Sequence, residues 1–193
     1  MRNYILLGTA LLLSWPAQAS IITLGGPLSA ANENPSNPST ATGSAFVTVD
    51  TVALTITFNV TFSGLTMPDT AAHIHCCIAL GMNTGVATAV PALPGFPLNV
   101  TSGSFISPPF SLLDSTFYNP AFITSNGGSV STAEPIFLAG LLNSQTYFNI
   151  HDATNPSGEV RAFLVPIPEP MTFAPAGLAL VVFATLRRRR LVR

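Results

Sequence analysis

The chain has 193 residues, of which 48% are hydrophobic and 8% are charged, with a formal net charge of −1. Six of the seven basic residues lie near the ends, at Arg2, Arg187–Arg190 and Arg193, so residues 20–165 carry Arg161 against seven carboxylates, and one minus seven gives −6. Such an acidic domain repels nucleic acid and anionic surfaces, and about 146 residues are enough for one hydrophobic core rather than two.

The first 19 residues have the composition of a secretory signal peptide. Arg2 is followed by the apolar run Ile5–Leu13 and then by Ala17-Gln18-Ala19, which are small residues where signal peptidase requires them. The apolar run is too short to span a bilayer. We therefore expect residues 1–19 to be cleaved after Ala19 and residues 20–165 to be exported.

Residues 20–165 are predicted to be mostly β. Ala45–Val49 and Ala53–Phe62 alternate polar and apolar residues, with Asp50-Thr51 between them as a hairpin turn. Further strands are predicted at Ile21–Leu28, Ala71–Ile78, Tyr147–His151 and Glu159–Leu164. Loops are predicted at 32–42, 91–109 and 118–132, and a turn or two of helix at 110–117. Many short strands without intervening helices favour an antiparallel β-sandwich or barrel.

The three histidines of the chain lie in two similar motifs. His73 and His75 are two residues apart on one predicted strand and therefore share a face. A weak internal repeat places His75 and His151 at matching positions. Its matching residues are Gly-Leu, Thr and Ile-His, and the two copies are offset by 76 residues. Three imidazoles from neighbouring strands suit copper or zinc. The alternative is that the histidines are structural, either partly exposed or hydrogen-bonded to loop carbonyls.

The two cysteines, Cys76 and Cys77, are adjacent in a chain that we expect to reach an oxidising compartment. Four interpretations stay open: a vicinal disulfide, a thiol ligand at Cys77 beside the histidines, intermolecular pairing, or two small buried residues.

A second hairpin is predicted around Asn155-Pro156-Ser157-Gly158, which has turn chemistry. Glu159 and Arg161 follow on one face of the next strand, within reach of Asp152 or of the groups that orient the histidines. We expect Arg161 to be a structural ion-pair partner rather than an anion site.

The C-terminal end reads as a sorting and anchoring signal. The proline-rich linker 166–170 precedes an uncharged apolar segment at 171–186, and the basic tail 187–193 follows at once. This order predicts a transmembrane segment with a cytoplasmic tail rather than nucleic-acid contact. With Pro168, Glu169 and Pro170, the segment resembles the PEP-CTERM tail. The resemblance implies an exosortase-type membrane enzyme as partner, exopolysaccharide-producing bacteria as context, and an anchor that is removed or retained.

The exported region resembles the CHRD domain, a repeat first described in chordin and widespread in bacterial secreted proteins. The motifs that carry the resemblance are Leu28–Pro35, Phe62–Leu65, Ala72–His75, Tyr147–His151 and Pro156–Arg161. The resemblance implies a β-sandwich that is similar to superoxide dismutase, in which an H-x-H strand binds copper. Those enzymes need more histidines than three and a zinc site as well, so we expect no dismutase activity.

Two hypotheses about function follow. The sequence has no nucleophile elbow, phosphate loop, dinucleotide fingerprint or calcium loop, so we expect no enzyme. The first hypothesis is a non-enzymatic protein of the cell envelope or extracellular matrix, sorted by an exosortase, with a binding or structural role in surface adhesion or exopolysaccharide organisation. The alternative is a copper- or zinc-binding protein that uses His73, His75 and His151, with Cys77 as a further candidate ligand.

Overall fold

The computed structural model describes residues 21–168. The predicted signal peptide (1–19), the apolar segment 171–186 and the basic tail 187–193 lie outside the described residues, as do Glu169 and Pro170 of the sorting motif. Within residues 21–168, no helix has both the length and the apolar character needed to cross a bilayer.

Nine strands of the described region pair into one antiparallel sheet, so the predicted all-β class and antiparallel pairing are confirmed. The sheet order is β4-β7-β8-β1-β2-β3-β5, with β6 on β3 and β9 on β1. The strands are β1 (Ile21–Ser29), β2 (Thr42–Asp50), β3 (Thr55–Ser63), β4 (Asp69–Cys76), β5 (Gly103–Ile106), β6 (Phe110–Ser111), β7 (Thr146–Asp152), β8 (Val160–Phe163) and β9 (Val165–Pro166).

The β2–β3 hairpin follows the alternation in its sequence. Val47 pairs with Phe58 and Val49 with Ile56, and all four side chains are buried on the core face. The Asp50 carboxylate accepts the backbone N–H groups of the next turn, at residues 52 and 53, both at 2.9 Å. Cross-strand burial and an Asp-stabilised turn therefore fix the register of this pair.

Strands β4, β7 and β8 form one end of the sheet and are buried on both faces. One face adds Ile74, Phe148 and Ile150 to the hydrophobic core. The opposite face carries polar side chains that are also buried, because segments 32–37 and 81–92 fold over it. Buried polar groups normally have hydrogen-bond partners. A polar group on this covered face that lacks a partner would therefore indicate a binding site.

Two helices begin within residues 118–132, where a loop was predicted, so that prediction is wrong. They are α1 (Pro120–Ser125) and α2 (Val130–Leu142). Asn119 caps α1, and its side chain accepts the N–H of Ala121. The predicted turn or two of helix within 110–117 corresponds to a short 3-10 turn at Ser115–Phe117, preceded by β6.

Candidate metal centre

The pairing of β4 with β7 brings all three histidines onto one face of the sheet. Ala71 lies opposite His151, and His73 lies opposite Asn149, so the three imidazoles project from two neighbouring strands. Residues two apart on a strand share a face, as do directly opposed residues. The predicted grouping of the histidines is therefore present in the fold.

The three rings form a compact, buried cluster. Their ligand atoms all lie within 4.8 Å of one another, and each residue is 5–7% exposed. The ring centre of His73 is 4.9 Å from that of His75 and 4.7 Å from that of His151. Three bonds of about 2.0–2.1 Å to one ion place the three nitrogens roughly 3.4–3.6 Å apart, so each ring needs to move by less than about 1 Å to bind it.

Each imidazole is held by a backbone carbonyl at its Nδ1 atom. The Nδ1 atoms of His73, His75 and His151 lie 3.1, 2.7 and 3.1 Å from carbonyl oxygens of Pro91, Thr84 and Pro156. A carbonyl only accepts, so each Nδ1 carries the proton and donates, which leaves each Nε2 with a free lone pair. This second contact is the one that orients metal-binding histidines.

All three Nε2 atoms are buried and have no hydrogen-bond partner in the structure. Desolvation by burial lowers the pKa of His73 to about 3, helped by the neighbouring histidines, and lowers the pKa of His75 to about 4. Burial lowers the pKa of His151 in the same direction. The three rings are therefore neutral at physiological pH, which is the protonation state that a metal requires.

A layer of stacked groups supports His75 from behind. The Tyr147 ring stacks on the His75 ring with centres 4.6 Å apart and planes at 10°, and the Arg161 guanidinium lies 3.9 Å from the centre of the Tyr147 ring. Arg161 also donates to Glu33 at 2.8 Å and to the side-chain oxygen of Asn83 at 2.7 Å. Arg161 is thus a structural ion-pair partner, and its partner is Glu33 rather than Asp152.

Glu33 and Tyr147 belong to this layer, although sequence reasoning did not select them for the site. Burial raises the pKa of Glu33 to about 7, against the lowering effect of the Arg161 charge and hydrogen bond. The signals that point to both residues were present in the motifs at 28–35 and 147–151. Which partner each residue takes depends on the path of the loops, and that path has no periodic pattern.

The carboxylates of the second hairpin hold loops instead of histidine rings. The Glu159 carboxylate accepts from the Ser39 hydroxyl at 2.6 Å and from the Thr66 N–H at 2.8 Å. The Asp152 carboxylate accepts the N–H of Met67 at 3.0 Å. The proposed approach of Glu159 to the groups that orient the histidines has no counterpart in these contacts.

The cysteines do not belong to the histidine cluster. The prediction of Cys77 as a further candidate ligand is therefore not supported by the fold. Cys76 and Cys77 form a disulfide with each other, so neither has a thiolate to offer. The two sulfurs pack against Gly140 of α2, and the Cys77 sulfur lies 3.6 Å from the Ile136 carbonyl oxygen. Among residues 21–168, the group that could hold a metal ion consists of the three histidines without a cysteine or a carboxylate.

Comparison with known families identifies the whole region that contains the site. A family model described as the CHRD domain matches residues 24–164, which is most of the chain. No curated protein and no solved structure matches. Three of the motifs that carried the resemblance, at 28–35, 72–75 and 147–151, meet in the cluster and the layer behind it.

Proposed function

Because this chain belongs to the CHRD family, we propose that it is an exported protein whose CHRD domain binds one copper or zinc ion through His73, His75 and His151. The observation that carries the proposal is the set of three buried Nε2 lone pairs without partners, each on a ring whose other nitrogen is fixed by a carbonyl.

The burial of the Nε2 atoms favours a metal over a purely structural role. A buried acceptor without a partner costs about 1–3 kcal/mol, and this cluster contains three of them. A structural histidine normally satisfies both ring nitrogens or leaves one in water. One ion would satisfy all three lone pairs at once, and neutral imidazole suits copper and zinc.

The direct test is metal analysis of the purified full-length protein with matched variants. Substituting each histidine by asparagine keeps a side-chain N–H close to the place of Nδ1 and removes the nitrogen that would bind the metal. Ile106→Asn is the control, because it introduces an asparagine at an exposed position of β5, at the other end of the sheet order from β4, and keeps all three imidazoles.

We expect about one copper or zinc ion per chain in the wild type and in Ile106→Asn, and none in a folded triple His→Asn variant. The absence of metal uptake by the wild type, or equal uptake by the folded triple variant, contradicts the proposal. The histidines would then be structural, and adhesion or polysaccharide binding would become the function to pursue.

The second candidate function is a non-enzymatic structural or binding role at the cell envelope or in the extracellular matrix. The sequence features that favour it are the predicted signal peptide at 1–19, the Pro168-Glu169-Pro170 motif and the apolar segment 171–186 before the basic tail 187–193. In this proposal an exosortase-type enzyme sorts the chain, and exopolysaccharide is its surface partner. We also propose that the antiparallel sheet forms a β-sandwich similar to that of superoxide dismutase.

Sorting is tested by the mass and location of the mature protein. We expect an N-terminus at Ser20, recovery in the envelope or extracellular fraction, and loss of sorting when Pro168, Glu169 and Pro170 are all replaced by alanine. A mature chain that begins at Met1, or an unchanged location after the replacement, contradicts this part of the proposal.

A further inference from the structure

We infer that the three-histidine site binds monovalent copper in preference to zinc and other divalent ions. The inference rests on the proposed function, since it concerns which ion the same site takes. It is drawn from the charge of the ligands, the charge behind them and the number of ligands.

The ligand set is uncharged. The group formed by His73, His75 and His151 contains no carboxylate or thiolate among the described residues, and its three free nitrogens are shielded from water. The cost of moving an ion into a medium of low polarity rises with the square of its charge. A divalent ion therefore loses about four times as much hydration as a monovalent one, with no anionic ligand to offset the loss.

A fixed positive charge behind the cluster acts in the same direction. Arg161 lies over Tyr147, which stacks on His75, so the guanidinium is within about 9 Å of the His75 ring. The repulsion between this charge and a bound cation doubles from a monovalent to a divalent ion. Glu33 beside the guanidinium and Asp152 after His151 offset part of this effect, but neither belongs to the ligand group.

The number of ligands also favours monovalent copper. Zinc in proteins is almost always four-coordinate, with a fourth protein ligand or a water molecule. Here the protein supplies three nitrogens, Cys77 is locked in a disulfide, and the nitrogens that would face a fourth ligand are shielded from solvent. Monovalent copper is stable with three nitrogen ligands and needs no fourth, and imidazole is a ligand that suits copper.

The inference is tested by titrating the full chain without oxygen. Monovalent copper is supplied as its bicinchoninate complex, zinc is measured against a chromophoric chelator, and monovalent silver serves as a redox-inert probe of the same charge. We expect copper(I) and silver(I) to bind at about one ion per chain and at least about tenfold more tightly than zinc. The folded triple His→Asn variant should bind none of them at this site.

A second readout needs no variant. X-ray absorption of the copper-loaded wild type should show copper(I) with three nitrogen neighbours and no sulfur. Stoichiometric, histidine-dependent zinc binding that equals or exceeds copper(I) binding overturns the inference and leaves the proposed metal site intact. A wild type that binds none of the three ions overturns both.

Discussion

At the scale of single residues, the same structural device occurs three times. The backbone carbonyls of Pro91, Thr84 and Pro156 each fix an Nδ1 proton and direct an Nε2 lone pair into the cluster. The carbonyls belong to loops rather than to strands. The loops therefore select the tautomer of each ring, and the strands bring the rings together.

The pKa values of the histidines predict how stability depends on pH. Their pKa values in the folded protein, about 3 for His73 and about 4 for His75, lie below the ordinary value of 6.5. The unfolded chain then binds more protons between pH 6.5 and 4, so stability is present above pH 6.5 and is lost as the pH falls through this window.

This pH dependence is measured as urea unfolding of the metal-free wild type and of the triple His→Asn variant between pH 7 and pH 4. We expect the wild type to lose stability more steeply. The raised pKa of Glu33 has the opposite effect on stability, but it is common to both proteins and cancels in the difference. Equal slopes would show that the rings are not buried as neutral groups.

The histidine cluster was predictable because two physical rules sufficed. Side chains two apart on a strand share a face, and a repeated Ile-His in a second strand indicated a neighbour. Cys77 failed as a ligand because the sequence left four fates open for adjacent cysteines, and only the fold decides among them. Glu33 was beyond prediction, since it reaches Arg161 across 128 residues through an irregular loop.

At the scale of elements, strands were predicted more successfully than helices. The strands β2 and β3 alternate strictly, so their pattern alone indicates a half-buried hairpin. Helix α2 contains Pro135 and Gly140, lacks a side-chain cap, and has apolar residues around much of its circumference. Its local signals oppose a helix, and packing against the sheet overrides them.

The contact between α2 and the disulfide predicts that alanine is tolerated less well at Gly140 than at Gly85. A Cβ added at Gly140 would overlap both sulfurs of the cysteine pair, whereas one added at Gly85 would meet open space. We expect Gly140→Ala to lower the free energy of unfolding by about 1–3 kcal/mol, and Gly85→Ala to change it little.

Chemical denaturation of the two glycine variants distinguishes packing from propensity. Alanine is preferred over glycine in a helix by up to about 1 kcal/mol, so propensity alone would make Gly140→Ala more stable. A stabilised Gly140→Ala protein would therefore contradict close packing of α2 on the cysteines.

At the scale of the whole molecule, Arg161 connects parts of the chain that are distant in sequence. From β8 it reaches Glu33 near the N-terminal end, and Met82 and Asn83 in the loop after β4. The pair with Glu33 is almost fully buried, with side-chain exposures of 1% and 3%. Both loops that cover the histidines are thereby held to one side chain.

Removal of the Arg161–Glu33 ion pair should lower the stability of the folded protein. We expect Arg161→Met to destabilise the protein by about 3 kcal/mol or more, because a buried carboxylate loses its partner. The double variant Glu33→Gln/Arg161→Met should lose less than the sum of the two single variants, measured by urea unfolding. Additive losses would mean that the two side chains do not act as a pair.

The distance along the chain between the two histidine-bearing strands sets an order of events. His151 follows His75 by 76 residues, so an unfolded chain offers an ion only the pair His73 and His75. The third nitrogen arrives when β7 docks beside β4, which are neighbours in the sheet but far apart in sequence. An ion can therefore be bound by all three nitrogens only after β7 has paired with β4, late in the folding of the domain. In an exported chain, loading would take place on the far side of the membrane.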